Sequence, residues 1–173
     1  MLEKELREII RIAWPKLGPW AEPHWIEPAR GSTVGLPDVE LPLTPKVVLP
    51  VELKIGQLAG KVGGGELVPD ARYLDRKYNV KLRPSQIRYH TTNEDVGRRS
   101  ATFAWIEDTD IFCMWPWHHV GSHGVRLLTR RDGRDRRRVN AEWIVEIMES
   151  DYFWDHRDGG SHVELCHGVE PWL

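Results

Sequence analysis

Apolar residues recur at Leu2, Leu6, Ile9, Ile10 and Ala13. That stripe has helical spacing and predicts a helix over Leu2 to Leu17, which Pro15 weakens or ends. The period then changes. Leu36 to Leu41 reads as a strand and Val47 to Ile55 as a second one, joined by the proline-containing turn Pro42-Leu43-Thr44-Pro45-Lys46. Pro84 to about Val96 predicts a helix with proline in its first turn. Ala101 to Ile106 and Ile111 to Trp117 read as strands around the acidic turn Glu107 to Asp110. Asn140 to Ser150 predicts a last helix, with Ala141, Ile144, Val145 and Met148 inward. Residues 19–32 are rich in Pro, Trp and Gly and read as irregular, with a short strand at Trp25-Ile26. Together these segments predict a mixed α/β domain, a central sheet flanked by helices.

The first two strands carry the candidate chemistry. A hairpin symmetric about Pro45 sets Asp38 directly across from Glu52. Cross-strand partners have Cβ atoms about 5 Å apart. Two carboxylates that close repel each other unless a cation lies between them. Side chains alternate along a strand, so Glu52 and Lys54 share a face. Two carboxylates and a lysine are the minimal equipment for divalent-metal hydrolysis of a phosphodiester. An aspartate at a turn and an exposed alternating strand face is the competing, purely structural explanation.

Composition narrows the class. The chain has 173 residues, enough for one compact domain or one domain plus a small appendage. No apolar run is long enough to span a bilayer, no signal-peptide pattern opens the chain, and Cys113 and Cys166 are too few for a disulfide framework. A cytoplasmic location and no membrane partner are the expectation. The net charge of −2 argues against a wholly basic surface but not against a local basic groove. Arginines do cluster, from Arg126 to Arg138, in what reads as a basic loop. The tryptophans are expected to be mostly core. His118, His119 and His123 with Cys113, or Cys166 with His167, lack the paired spacing of a zinc site.

The run Gly35-Leu36-Pro37-Asp38, thirteen intervening residues, then Glu52-Leu53-Lys54, resembles the PD-(D/E)xK nuclease superfamily. The later segment Arg83-Pro84-Ser85-Gln86-Ile87-Arg88-Tyr89-His90 resembles the glutamine helix many members carry. The likeness is to phage and bacterial VRR-type nucleases and Holliday-junction resolvases, over roughly residues 1 to 107. The resemblance implies a restriction-endonuclease-like fold and a Mg²⁺- or Mn²⁺-dependent nuclease acting on DNA, with junctions or flaps as candidate substrates and RNA left open. It implies metal ligation by Asp38, Glu52 and the Leu53 backbone carbonyl. It gives Lys54 the attacking water to orient or deprotonate, and Gln86 a water or phosphate to position. Several related families carry a metal-site glutamate on the first helix. Glu3, three residues before Leu6, fits that spacing better than Glu5, and a solvated surface glutamate is the alternative for either. Resolvases of this type are usually dimers, and the likeness makes a phage or bacterial host cell the expected setting.

Residues 56–81, with Gly60, Gly63, Gly64 and Gly65, depart from compact relatives. They read either as a flap over substrate or as an exposed insertion. A nucleotide-triphosphate loop is excluded by the missing lysine and hydroxyl spacing. Arg30, Ser32, Lys61, Arg83, Arg88, Arg130 and Arg131 are candidate backbone contacts for nucleic acid. The expected organisation is a nuclease core over 1–119, with 56–81 inserted, and a C-terminal extension over 120–173 packed on it. Two rival functions follow from the same residues. One is a non-cutting nucleic-acid-binding or inhibitory protein on this fold. The other is a sequence-specific restriction enzyme, with 120–173 as its only candidate readout element.

Overall fold

The computed structural model describes residues 3–27, 35–57, 73–75, 79–107, 109, 111–117, 125–128, 130–131 and 137–155. Its centre is a six-stranded sheet in the order β1-β2-β3-β6-β7-β8. These strands are β1 (His24–Trp25), β2 (Val39–Thr44), β3 (Val47–Gly56), β6 (Ala101–Ile106), β7 (Ile111–Pro116) and β8 (Val125–Leu128). The β3–β6 pairing is parallel and the others are antiparallel, which makes the sheet mixed. Two small antiparallel pairs lie outside it, β4 (Tyr73–Asp75) with β5 (Val80–Lys81), and β9 (Arg130–Arg131) with β10 (Arg137–Arg138). The helices are α1 (Glu3–Ala13), α2 (Pro84–Asp95), α3 (Ala141–Glu149) and α4 (Asp151–Asp155). None of the described helices is long and apolar enough to cross a membrane.

The hairpin has the expected symmetry. Val39 faces Val51, Leu41 faces Leu49 and Pro42 faces Val48, all centred on Pro45. The Thr44 hydroxyl accepts the N–H groups of Lys46 (3.2 Å) and Val47 (3.1 Å), which closes the turn. The first strand starts and ends three residues later than its pattern predicted. Pro42 is tolerated in β2 because β1 covers only Val39 and Glu40, so the strand is an edge at Pro42. Pro50 in β3 is likewise just outside the β6 pairing, which begins at Val51.

Alternation along β3, β6 and β7 gives the sheet two different faces. Val51, Leu53, Ala101, Phe103, Trp105, Phe112 and Met114 face the main core, which also takes Leu6, Ile10 and Trp14 from the α1 end and Ile144 and Met148 from α3. The Trp14 indole N–H donates to the Pro42 carbonyl at 2.8 Å and ties the end of α1 to β2. On the other face, Ala104, Ile106, Cys113 and Trp115 pack with Val80, Leu82 and, more loosely, Ile87 of α2.

Three expectations change. The first helix stops at Ala13 and continues as a 3-10 turn over Trp14–Leu17, because Pro15 cannot carry the α-helical bond. The stretch read as a basic loop from Arg126 to Arg138 contains three strands, since Val125 to Leu128 continues the sheet beside β7 and Arg130–Arg131 pairs with Arg137–Arg138. Charged side chains hid a strand whose backbone is paired. Residues beyond 120 therefore supply a sheet strand and a core helix, rather than only a layer laid on a finished core. In α3 the inward set is Ala141, Ile144, Ile147 and Met148, with Val145 only partly buried.

Candidate active site

Asp38 is fixed by its backbone before its side chain is considered. Its N–H donates to Val51 O (3.1 Å), and its carbonyl accepts Ile26 N–H (3.0 Å) from just past β1. Val39 already faces Val51, so Asp38 and Val39 together oppose one residue, as at a β-bulge. The expected direct pairing of Asp38 with Glu52 is thereby displaced by one step. Instead the Asp38 carboxylate turns in and accepts the Leu53 N–H at Oδ2, 2.8 Å away. A strand residue's N–H and C=O point to the same edge, so the Leu53 carbonyl lies on Asp38's side of β3.

Glu52 lies at the centre of the site and is 3% exposed. Lys54 Nζ donates to its Oε1 at 2.6 Å, as two same-face neighbours on a strand can. The Gln86 side-chain amide donates to the same oxygen. Gln86 cannot turn round, because its own Oε1 accepts the Arg83 N–H at 2.8 Å at the start of α2. The helix terminus thus orients the amide, and the amide orients the carboxylate. Gly35 makes this approach feasible. It has φ +114°, and a Cβ there would meet Ser85 O at 2.8 Å, so only glycine lets the chain before Pro37-Asp38 pass the first turn of α2.

Burial pushes the Glu52 carboxyl up to about 7. Lys54 opposes that rise, and the Asp38 charge adds to it, with Asp38 also accepting a hydrogen bond from the protonated form. A carboxyl perturbed in this way marks Glu52 as a candidate functional group.

Below Glu52 the polar face continues across the sheet. Thr102 is its register partner on β6 and Trp115 is the partner of Thr102 on β7. His90, one turn after Gln86 and 1% exposed, has Nδ1 2.8 Å from Ser100 Oγ and Nε2 3.4 Å from Thr102 Oγ1. Among the described residues, the Trp115 indole nitrogen has no hydrogen-bond partner.

Arg7 was missed by the sequence pattern. Its NH2 nitrogen is 3.1 Å from Asp38 Oδ1 and 3.2 Å from Glu3 Oε1, and its guanidinium lies 5.7 Å from the Trp25 ring centroid. The usable signal was the Glu3–Arg7 spacing of four on the edge of the apolar stripe. Among the described residues, Glu3 is linked to Asp38 through this arginine. Glu5 is exposed.

Arg83, just before α2, and Arg88 on it are both exposed. Arg130 and Arg131 belong to β9, with their backbones described and their side chains outside the described set, while Arg30, Ser32 and Lys61 all lie outside the described residues. Among the described residues, no three His, Cys, Asp or Glu side chains cluster into a metal cage. An all-oxygen set of Asp38, Glu52 and the Leu53 carbonyl has only two such side chains. It suits a hard divalent cation with water completing the shell. No protein-family model, curated protein or solved structure matches the chain.

Proposed function

We propose that the protein is a divalent-metal-dependent nuclease of restriction-endonuclease-like architecture that hydrolyses phosphodiester bonds in DNA. The observation that carries this reading is the convergence of four dispersed residues. Lys54 and Gln86 both bond Glu52 Oε1, and Asp38 perturbs the same carboxyl from the neighbouring strand. A structural role alone does not account for burying a glutamate with a second carboxylate beside it, since each charge raises the cost of the other.

Asp38 and Glu52, with the Leu53 carbonyl, are the residues to hold Mg²⁺ or Mn²⁺. When bound, such an ion offsets charge on the phosphate and lowers the pKa of a water. The chain's own groups do the rest. Lys54, half-buried and 2.6 Å from Glu52, holds an attacking water or a phosphate oxygen beside the carboxylates. Gln86 acts on Glu52, keeping its Oε1 turned to Lys54, rather than on water or phosphate directly. Arg83 and Arg88 are available to the DNA backbone along α2. A homodimer able to cut two strands belongs to the same proposal, as does action inside a bacterial or phage-infected cell.

The test is cleavage of labelled duplex, single-stranded, flap and four-way-junction DNA, with an RNA control, in Mg²⁺, Mn²⁺ or EDTA. Wild type is compared with Asp38→Ala and Lys54→Ala. Metal-dependent cutting by wild type, lost by about a thousandfold or more in both variants, is expected for groups acting on the transition state. No cutting with any metal, with DNA binding equal in all three proteins, overturns the catalytic reading in favour of a non-cutting binder.

A further inference from the structure

Asp38 has no idle oxygen at its outer side. Oδ2 takes the Leu53 N–H and Oδ1 takes Arg7. One guanidinium nitrogen serves both Asp38 and Glu3, so a positive charge already stands where these two carboxylates converge. The arginine is about one-third exposed, rests against Trp25 and comes from α1, so it is positioned by a different element from either carboxylate strand. A cation in that place lowers the repulsion between Asp38 and Glu52 in the metal-free protein. It also competes for the oxygen a metal would need.

We propose that Arg7 is a stand-in cation for the metal site, holding Asp38 Oδ1 in the metal-free protein and yielding it when a divalent ion binds. This rests on the metal-site reading above. Arg7 is a positioning residue: it acts through Asp38. Its displacement has a cost that metal binding must overcome, so the arginine weakens metal affinity while offsetting the Asp38 charge when no metal is bound. Released from Asp38, the guanidinium still lies at the mouth of the site, where its planar donors match a phosphate.

The test is a calorimetric titration of Mn²⁺ into the full chain, without nucleic acid, for wild type, Arg7→Gln and Arg7→Lys. Each variant is first checked for an unchanged circular dichroism spectrum. Arg7→Gln is expected to bind Mn²⁺ about two- to fivefold more tightly, the scale of one partly exposed ion pair removed from competition. Arg7→Lys, which keeps a charge but not the planar fork, is expected to lie between the two. Adding Asp38→Asn to Arg7→Gln is expected to abolish the gain. Equal or weaker Mn²⁺ binding by Arg7→Gln, beside measurable binding by wild type, overturns the stand-in role and leaves the metal site intact. Absence of Mn²⁺ binding in all variants overturns both.

Discussion

The two faces of the central sheet are built from the same strands, and only the second interrupts its apolar packing with a polar patch. On β3, Val51 and Leu53 enter the main apolar core, and Glu52 and Lys54, alternating with them, point to the other face. On β6, Phe103 and Trp105 sit on the first face, and on the second a polar Thr102 gives way to apolar Ala104 and Ile106. The helices divide in the same way. The buried positions of α1 are Leu6, Ile10 and Ala13, and those of α2 are Gln86 and His90. A helix stabilised by packing buries its apolar stripe. A helix that buries a glutamine and a histidine does so because partners wait there, since an unpaired buried amide or imidazole costs free energy. The first face therefore packs the main core, and the second combines a smaller apolar cluster with a polar patch that holds a carboxylate in place.

The largest expected effect lies on the apolar face. Phe103 packs on Phe112 at 5.4 Å and Trp14 at 6.4 Å between ring centroids. Phe103→Ala is expected to cost about 3–5 kcal/mol through lost burial and the cavity it leaves. Urea unfolding at fixed pH measures this, and a loss below about 1 kcal/mol would show that the ring does not organise the core.

Glu52→Gln is expected to act in the opposite direction. The folded-state pKa of about 7 is above the ordinary value near 4.5. The folded protein then binds more protons than the unfolded chain between those values, so stability is highest below about 4.5, falls as pH rises, and levels off above about 7. The shift corresponds to about 3 kcal/mol lost across that window. Glutamine has no charge to bury, so the variant in EDTA should show a flatter stability profile from pH 4.5 to 8. It should be the more stable protein at pH 8, less whatever the Lys54 contact contributes, while losing cleavage. Thermal melts across pH decide it, and identical slopes in the two proteins would mean that Glu52 ionises normally.

Much of this contrast was legible in the sequence. The hairpin symmetry about Pro45, the Glu52–Lys54 face and the helix starting at Pro84 follow from local rules: period two, turn chemistry and proline at a first helical position. The exact place of Asp38 was not legible, because a bulge depends on how β1 meets β2, and β1 is two residues long. Arg7 was hidden because an arginine at the edge of an amphipathic helix is ordinary until the strand beneath it is known. Gln86 was expected to face a water or phosphate, and the contact it makes with Glu52 was not foreseen. Its amide is committed to Glu52, which only the fold could bring within reach from 34 positions away. The sheet strand at Val125–Leu128 was obscured by the arginines around it, since charge predicts exposure of side chains and says little about backbone pairing.

The smallest effect tests how far the polar face behaves as one unit. Thr102 contributes a hydroxyl 3.4 Å from His90 Nε2, longer than a good hydrogen bond, whereas Ser100 Oγ is 2.8 Å from Nδ1. Thr102→Val keeps the branched shape that suits a strand and removes only that hydroxyl. If the contacts act independently, the loss should be about 0.5–1 kcal/mol, because the closer Ser100 contact still anchors the ring. Cleavage should fall by less than about tenfold, since Gln86 and Lys54 hold Glu52 without help from Thr102. A loss above about 2 kcal/mol, with cleavage falling in parallel, would mean that Ser100, His90, Thr102 and Glu52 are coupled. The double variant with Gln86→Ala then separates the two cases. Additive losses mean that the histidine row merely supports α2, and a non-additive result joins it to the carboxylate.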